Sequence, residues 1–188
     1  VCLVDRSEPA LEIGASHISE FSPHFQSFRV DLARDDQLEF LKQSLSDKHG
    51  RVDILIHCAG IILQGELQHA PVADFDLQYR INVRSPYLLT QTLLPMLKAA
   101  KGQVVFVNSS AGLEAKAGVG QYAATKHALK AIADSLRAEV NGEGIRVLSV
   151  YPGRTATPLQ ERLYRLENRA YHPELLMQPG DVAAMIIA

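Results

Sequence analysis

Tyr122 and Lys126 lie four positions apart in the stretch "GVGQYAATK" (118–126). On a helix that spacing is about one turn, so both side chains leave from one face. A phenol titrates near ~10 in water, too high for easy proton exchange near neutrality. An ammonium beside it favours the phenolate and lowers that value, which makes Tyr122 a candidate general acid or base. Ser109, thirteen positions earlier in the apolar run "QVVFVNSS" (103–110), is placed to donate a hydrogen bond to a carbonyl or alkoxide oxygen at the same point. A plainer reading of an isolated YxxxK stays open: an amphipathic helix start with a half-buried tyrosine and a solvated lysine.

A further polar candidate sits in "YRINVRSPYLLTQ" (79–91). Pro86 falls inside a helical pattern and has no N–H to give to the carbonyl four residues back, which belongs to Asn82. That oxygen is left free at a kink and can hold an ordered water. The alternative is a simple kink with a surface asparagine.

These residues need elements to hold them. Short, largely continuous apolar runs at 1–5, 25–32, 52–60, 103–110 and 145–153 read as strands, and the segments 7–16, 34–49, 71–99 and 121–141 read as helices. Strands this apolar, alternating with helices, predict an α/β fold: one domain with a mostly parallel sheet covered on both sides. Parallel sheets bind ligands at the carboxyl ends of their strands. Asp5, Asp31, "CAG" (58–60), Ser109 and "PG" (152–153) all fall there. Each has an ordinary reading as a cap, turn or loop residue. The segment 154–179 interrupts the rhythm before a last helical start at "GDVAAMIIA", and it is expected to form a substrate loop or lid, or a surface helical excursion.

Whole-chain properties narrow the function classes. The 188 residues are 47% hydrophobic with a net charge of −2, and the charges are mixed along the chain. This offers no basic stripe for nucleic acid and no polybasic anchor for a membrane. Cys2 and Cys58 make no CxxC and the seven histidines make no metal-ligand spacing, so a reduced, cytoplasmic setting without structural metal is expected.

Taken together, Asn82, Ser109, Tyr122 and Lys126, with "CAG" and "VYPGRTATP" in register, resemble the classical short-chain dehydrogenase/reductase family. The likeness runs through nearly the whole chain: "YAATK" matches YxxxK, "VNSSAG" the serine strand end, and "HCAG" a variant of NNAG. It implies a Rossmann-type, doubly wound sheet and an NAD(P)-dependent oxidoreductase that interconverts an alcohol and a ketone or aldehyde. Tyr122 would be the catalytic acid/base. Lys126 would lower its pKa and bind the nicotinamide ribose, Ser109 would polarise the substrate oxygen, and Asn82 would hold a water that links Lys126 to solvent. For the cofactor, Asp31 would contact the adenine, and Ala59 and Gly60 would let the backbone approach the adenine-side ribose. Thr155 and Thr157, after Pro152 and Gly153, would hold the nicotinamide carboxamide and phosphates. Asp5 would accept from the ribose 2′-OH and favour NAD over NADP, although Arg6 beside it can accommodate a 2′-phosphate. A small-molecule alcohol or carbonyl substrate and a homodimer or homotetramer follow by analogy.

The family's glycine-rich TGxxxGxG turn and its first and last strands have no counterpart among these residues. The first strand would lie between the strands at 1–5 and 52–58, so two unpaired edges are expected there, in an incomplete record of a longer enzyme. The alternative function is a catalytically silent or truncated relative that acts as an interaction module.

Overall fold

The computed structural model describes residues 1–187. Five short strands form, each from one of the apolar runs: β1 (Cys2–Asp5), β2 (Gln26–Arg29), β3 (Ile54–His57), β4 (Gln103–Val107) and β5 (Arg146–Val150). All ladders are parallel, and they divide into a two-stranded sheet β1-β2 and a three-stranded sheet β3-β4-β5. Only the central strand β4 is apolar on both faces and closed to solvent, with Val104, Val105 and Phe106 at 0% exposure. Among the described residues β1 pairs only with β2 and β3 only with β4, so the expected unpaired edges are present there, and Ile54 and Ile56 of β3 stay half-exposed.

The helices are α1 (Glu8–Ser19), α2 (Asp35–His49), α3 (Val72–Tyr79), α4 (Ser85–Ala100), α5 (Gly120–Val140), α6 (Pro158–Leu166) and α7 (Pro179–Ile187). Their ends follow local chemistry. The Ser7 hydroxyl caps α1 by accepting from the Ala10 N–H, and α2 opens on Asp35 and Asp36 and stops at Gly50, whose φ of 57° is the left-handed conformation that glycine adopts at least cost. One core cluster joins both sheets: Phe28 and Val30 pack with Leu38, Leu41 and Leu45 of α2, and the same cluster continues through Leu93 and Leu97 of α4 to Phe106 and Ala133.

The single helix expected at 71–99 is α3 and α4 joined through a π-helical turn at Arg80–Arg84. Pro86 has no N–H for the carbonyl of Asn82, and Ser85 donates to Arg80 five residues back, so the register widens by one residue. Asn82 lies inside this turn. Among the described residues no helix is long and apolar enough to cross a membrane, and no group of three or more His, Cys, Asp and Glu side chains gathers as a metal site.

His57, at the carboxyl end of β3, is buried with its Nε2 2.8 Å from Thr90 Oγ1, and its ring stacks on Phe106 at 5.0 Å. Burial lowers its pKa from 6.5 to about 3. The unfolded chain therefore takes up a proton below about 6.5 that the fold refuses until about 3. Stability is full above the upper value and falls as pH drops through that window, by at most ~4–5 kcal/mol at 1.36 kcal/mol per pH unit. Urea unfolding between neutral and acid pH should show this loss, and His57→Gln should flatten it; an equally steep acid loss in the variant would contradict the assignment.

Candidate active site

Ser109 lies two residues past the end of β4, extended at φ −163°, and its hydroxyl accepts from the Ala111 N–H at 3.2 Å as the chain turns into a short 3-10 helix. Tyr122 and Lys126 occupy the first two turns of α5. Ser109 and Tyr122 line one cavity of about 410 Å³, together with Gly153, Arg154 and residues of α6. Lys126 does not line it. The lysine is 4% exposed, its Nζ donates to the Val107 carbonyl at 3.2 Å, and it lies 5.8 Å from the centroid of the Tyr122 ring. The solvated lysine of the plainer reading is thus absent.

Ionisation at this site is governed by desolvation. Burial lowers Lys126 from 10.5 to about 8, with the neighbouring Cys58 acting the other way. Burial likewise pushes the Tyr122 phenol above its ordinary value, and a hydrogen bond with Ser109 only partly offsets this. The expectation that Lys126 lowers the phenol is not met in this geometry. The ammonium donates to the Val107 backbone carbonyl, and losing water costs the phenolate more than the hydrogen bond with Ser109 returns.

Asn82 is 1% exposed, so it is not a surface residue. Its Oδ1 accepts from the Ile61 N–H at 2.9 Å, and its Nδ2 donates to the Ile61 carbonyl at 2.8 Å and to Thr125 Oγ1 at 3.1 Å. Thr125 in turn donates to the Tyr122 carbonyl at 2.7 Å. The π-helical turn is in this way tied to the loop after β3 and to the helix that carries Tyr122. Gly60 closes the group: a β-carbon there would meet Asn82 Oδ1 at 3.4 Å and Lys126 Nζ at 3.7 Å.

Sequence reasoning missed Asn108. Its Nδ2 donates to the Lys126 carbonyl at 3.1 Å and its Oδ1 accepts from the Ser109 N–H at 2.9 Å, so one buried amide sets the strand end against the helix. Gly112 makes room for it, since a β-carbon there would stand 2.7 Å from Asn108 Oδ1. The signal was faint: an asparagine before two serines reads as a turn residue, and its partner lies 18 positions away.

The remaining sequence candidates spread over the other strand ends. Asp31 lines a second cavity with Arg6, Arg29, Arg34 and Gln37, and its Oδ1 accepts from the Ala33 N–H at 2.9 Å. Asp5 ends β1 with Oδ1 accepting from the Ser7 N–H at 2.8 Å. Ala59 is exposed in the loop after β3, and the Pro152 carbonyl accepts from the Ser110 N–H at 3.0 Å. Thr155 bonds the Gly153 carbonyl and bridges to Met177, while the Thr157 hydroxyl caps α6 by accepting from Gln160. Glu114, Val119, Arg154, Leu159 and Leu163 also line the cavity of Ser109 and Tyr122, so the segment after Ser109 and the start of the 154–179 excursion both contribute to its wall.

A parallel α/β sheet with Ser109, Tyr122 and Lys126 gathered at the carboxyl end of its central strand defines a Rossmann-type protein with one candidate proton-transfer centre. A family model described as short chain dehydrogenase matches residues 1–168, and the chain belongs to that family. It is 31% identical over its whole length to YciK of Escherichia coli K12, an uncharacterized oxidoreductase of which it covers 74%. It is 34% identical, over 77% of its residues, to Rv0687, an uncharacterized NAD-dependent oxidoreductase of Mycobacterium tuberculosis. The chain spans about half the length of that relative, 53%. Among solved structures, a short chain dehydrogenase from Escherichia coli CFT073 complexed with NADPH superposes with a TM-score of 0.89 at 29% identity, over 99% of this chain and 78% of the other.

Proposed function

We propose that the protein is an NAD(P)-dependent oxidoreductase that reduces a ketone or aldehyde, or oxidises the matching alcohol, with Tyr122 as acid/base. The observation that carries the reading is the half-buried phenol of Tyr122 beside Ser109 in a single cavity. A phenol raised by burial stays protonated at neutral pH and is ready to give its proton to a carbonyl oxygen. Ser109, donating to the same oxygen, stabilises the charge that grows there. Lys126, whose Nζ lies 5.8 Å from the centroid of the Tyr122 ring, supplies a positive charge that offsets the phenolate left after transfer. Asn82, Thr125 and Asn108 hold these groups in register through backbone contacts.

The residues at the strand ends fit a nicotinamide dinucleotide, which when bound supplies the hydride. Gly60 leaves the backbone open beside Asn82 and Lys126, and Ala59, Pro152, Gly153, Thr155 and Thr157 surround the same ends of β3 and β5. The second cavity is lined by three arginines, of which Arg34 pairs with Asp36 at 2.9 Å; Arg6 has no ion-pair partner among the described residues. Asp5 favours a free ribose hydroxyl and hence NAD, while Arg6 admits a 2′-phosphate. The NADPH and NAD named for the relatives are compatible with both. Residues 154–179 are proposed to act as a substrate lid: their ends are pinned by the Thr155–Met177 bridge and the Ala156 N–H to Met177 carbonyl bond of 2.8 Å, and α6 lies between. The test is consumption of NADH and NADPH by the full-length protein with a panel of uncharged ketones. Turnover is expected, and Arg6→Gln should raise KM for NADPH alone; no turnover with any member would favour a catalytically silent relative.

A further inference from the structure

Three segments far apart in sequence meet on one carboxylate in the cavity wall. Glu167, just past α6, accepts from Arg154 Nη2 at 2.8 Å on Oε1 and 3.0 Å on Oε2, and from Gln64 Nε2 at 3.1 Å. Arg169 Nη1 reaches its other oxygen at 3.3 Å, and both guanidinium groups lie over the Tyr164 ring, at 4.8 and 4.9 Å. At 19% side-chain exposure Glu167 is the least exposed carboxylate in any ion pair among the described residues.

Arg154, Gln64 and Glu167 all line the cavity that holds Ser109 and Tyr122. An unpaired guanidinium in such a wall would recruit a carboxylate or phosphate on the substrate. Here the Arg154 charge is already paired with Glu167 through Nη2, and the other two charged lining residues, Glu114 and Lys116, are again of opposite sign. An anionic substrate would have to compete with Glu167 for Arg154 or lie beside its carboxylate, and like charges set together in a cavity wall are costly.

We infer that Glu167 is a specificity-determining residue: by occupying Arg154 it makes the cavity select a carbonyl substrate with no charged group near the reacting carbon. The inference rests on the proposed carbonyl chemistry at Ser109 and Tyr122. Its test compares two matched probes, 3-oxohexanoate and its methyl ester, by calorimetric titration of the full-length protein loaded with oxidised cofactor. The wild type should bind the ester about tenfold more tightly than the anion. Glu167→Gln should narrow or reverse that ratio, and Arg154→Gln, which leaves Glu167 with one fewer cation, should widen it. A merely structural role would weaken both probes alike in both variants. Equal binding of the two probes by the wild type, binding of neither, or movement of the ratio in one direction by both variants overturns the inference. Turnover is read separately: selective binding of the ester without its reduction would defeat the Tyr122 chemistry alone, whereas equal reduction of ester and anion would defeat the charge selection alone.

Discussion

Tyr122→Phe in the full-length protein should lower carbonyl reduction by on the order of 10²–10⁴-fold, the usual contribution of a positioned general acid. The substitution removes only the phenolic oxygen. The ring keeps its place in the cavity wall, and the backbone of α5 stays anchored by the Thr125 bond to the residue 122 carbonyl. Cofactor affinity should therefore be unchanged, and the loss should fall on kcat. Steady-state kinetics together with a cofactor titration checks both halves. A variant that binds cofactor and turns over at the wild-type rate would remove Tyr122 from the chemistry.

Lys126→Met should abolish turnover while it stabilises the fold, an outcome opposite to that of most core substitutions. The wild-type lysine is held in a buried site that lowers it from 10.5 to about 8. Below about 8 both the folded and the unfolded chain carry the proton, and the fold bears the full cost of the buried charge, ~3 kcal/mol at 1.36 kcal/mol per unit. Between about 8 and 10.5 the unfolded chain binds the extra proton, so wild-type stability rises with pH through that window. Methionine removes the charge at similar volume but leaves the Val107 carbonyl without its donor, a loss of ~1 kcal/mol. The variant should gain roughly 1–2 kcal/mol at neutral pH, and the gain should disappear by about pH 10.5. Denaturant midpoints measured across that range decide the matter, and a variant less stable than the wild type at neutral pH would show that the lysine contributes to the fold.

The strands and helices were legible because each apolar run is short, continuous and bounded by cap or turn residues. Ser109, Tyr122 and Lys126 could be singled out because helical spacing and a strand end fix where such side chains can point. Sequence could not say how dry the site is. The lysine of an isolated YxxxK reads as solvated, and only the packing of the Asn82 turn and the strand end against α5 buries it. The same burial reverses the expected direction for the Tyr122 phenol. Asn108 and Glu167 stayed hidden for a different reason: their partners are set by tertiary approach, with Gln64 and Glu167 separated by 103 positions. No local pattern records such a meeting. Arg154 opens the segment expected from sequence to form a substrate loop, yet its pairing with Glu167, which sets the charge of the wall, appears only when the 154–179 excursion folds back.

The proton assigned to Tyr122 can be followed most directly by replacing that residue with a fluorinated tyrosine, whose phenol is more acidic at nearly the same size. Single-turnover reduction of an uncharged ketone, measured across pH, should then lose rate at a lower pH than the wild type, by the difference between the two phenols' acidities. An alkaline limb that does not move with the acidity of residue 122 would show that the proton comes from elsewhere.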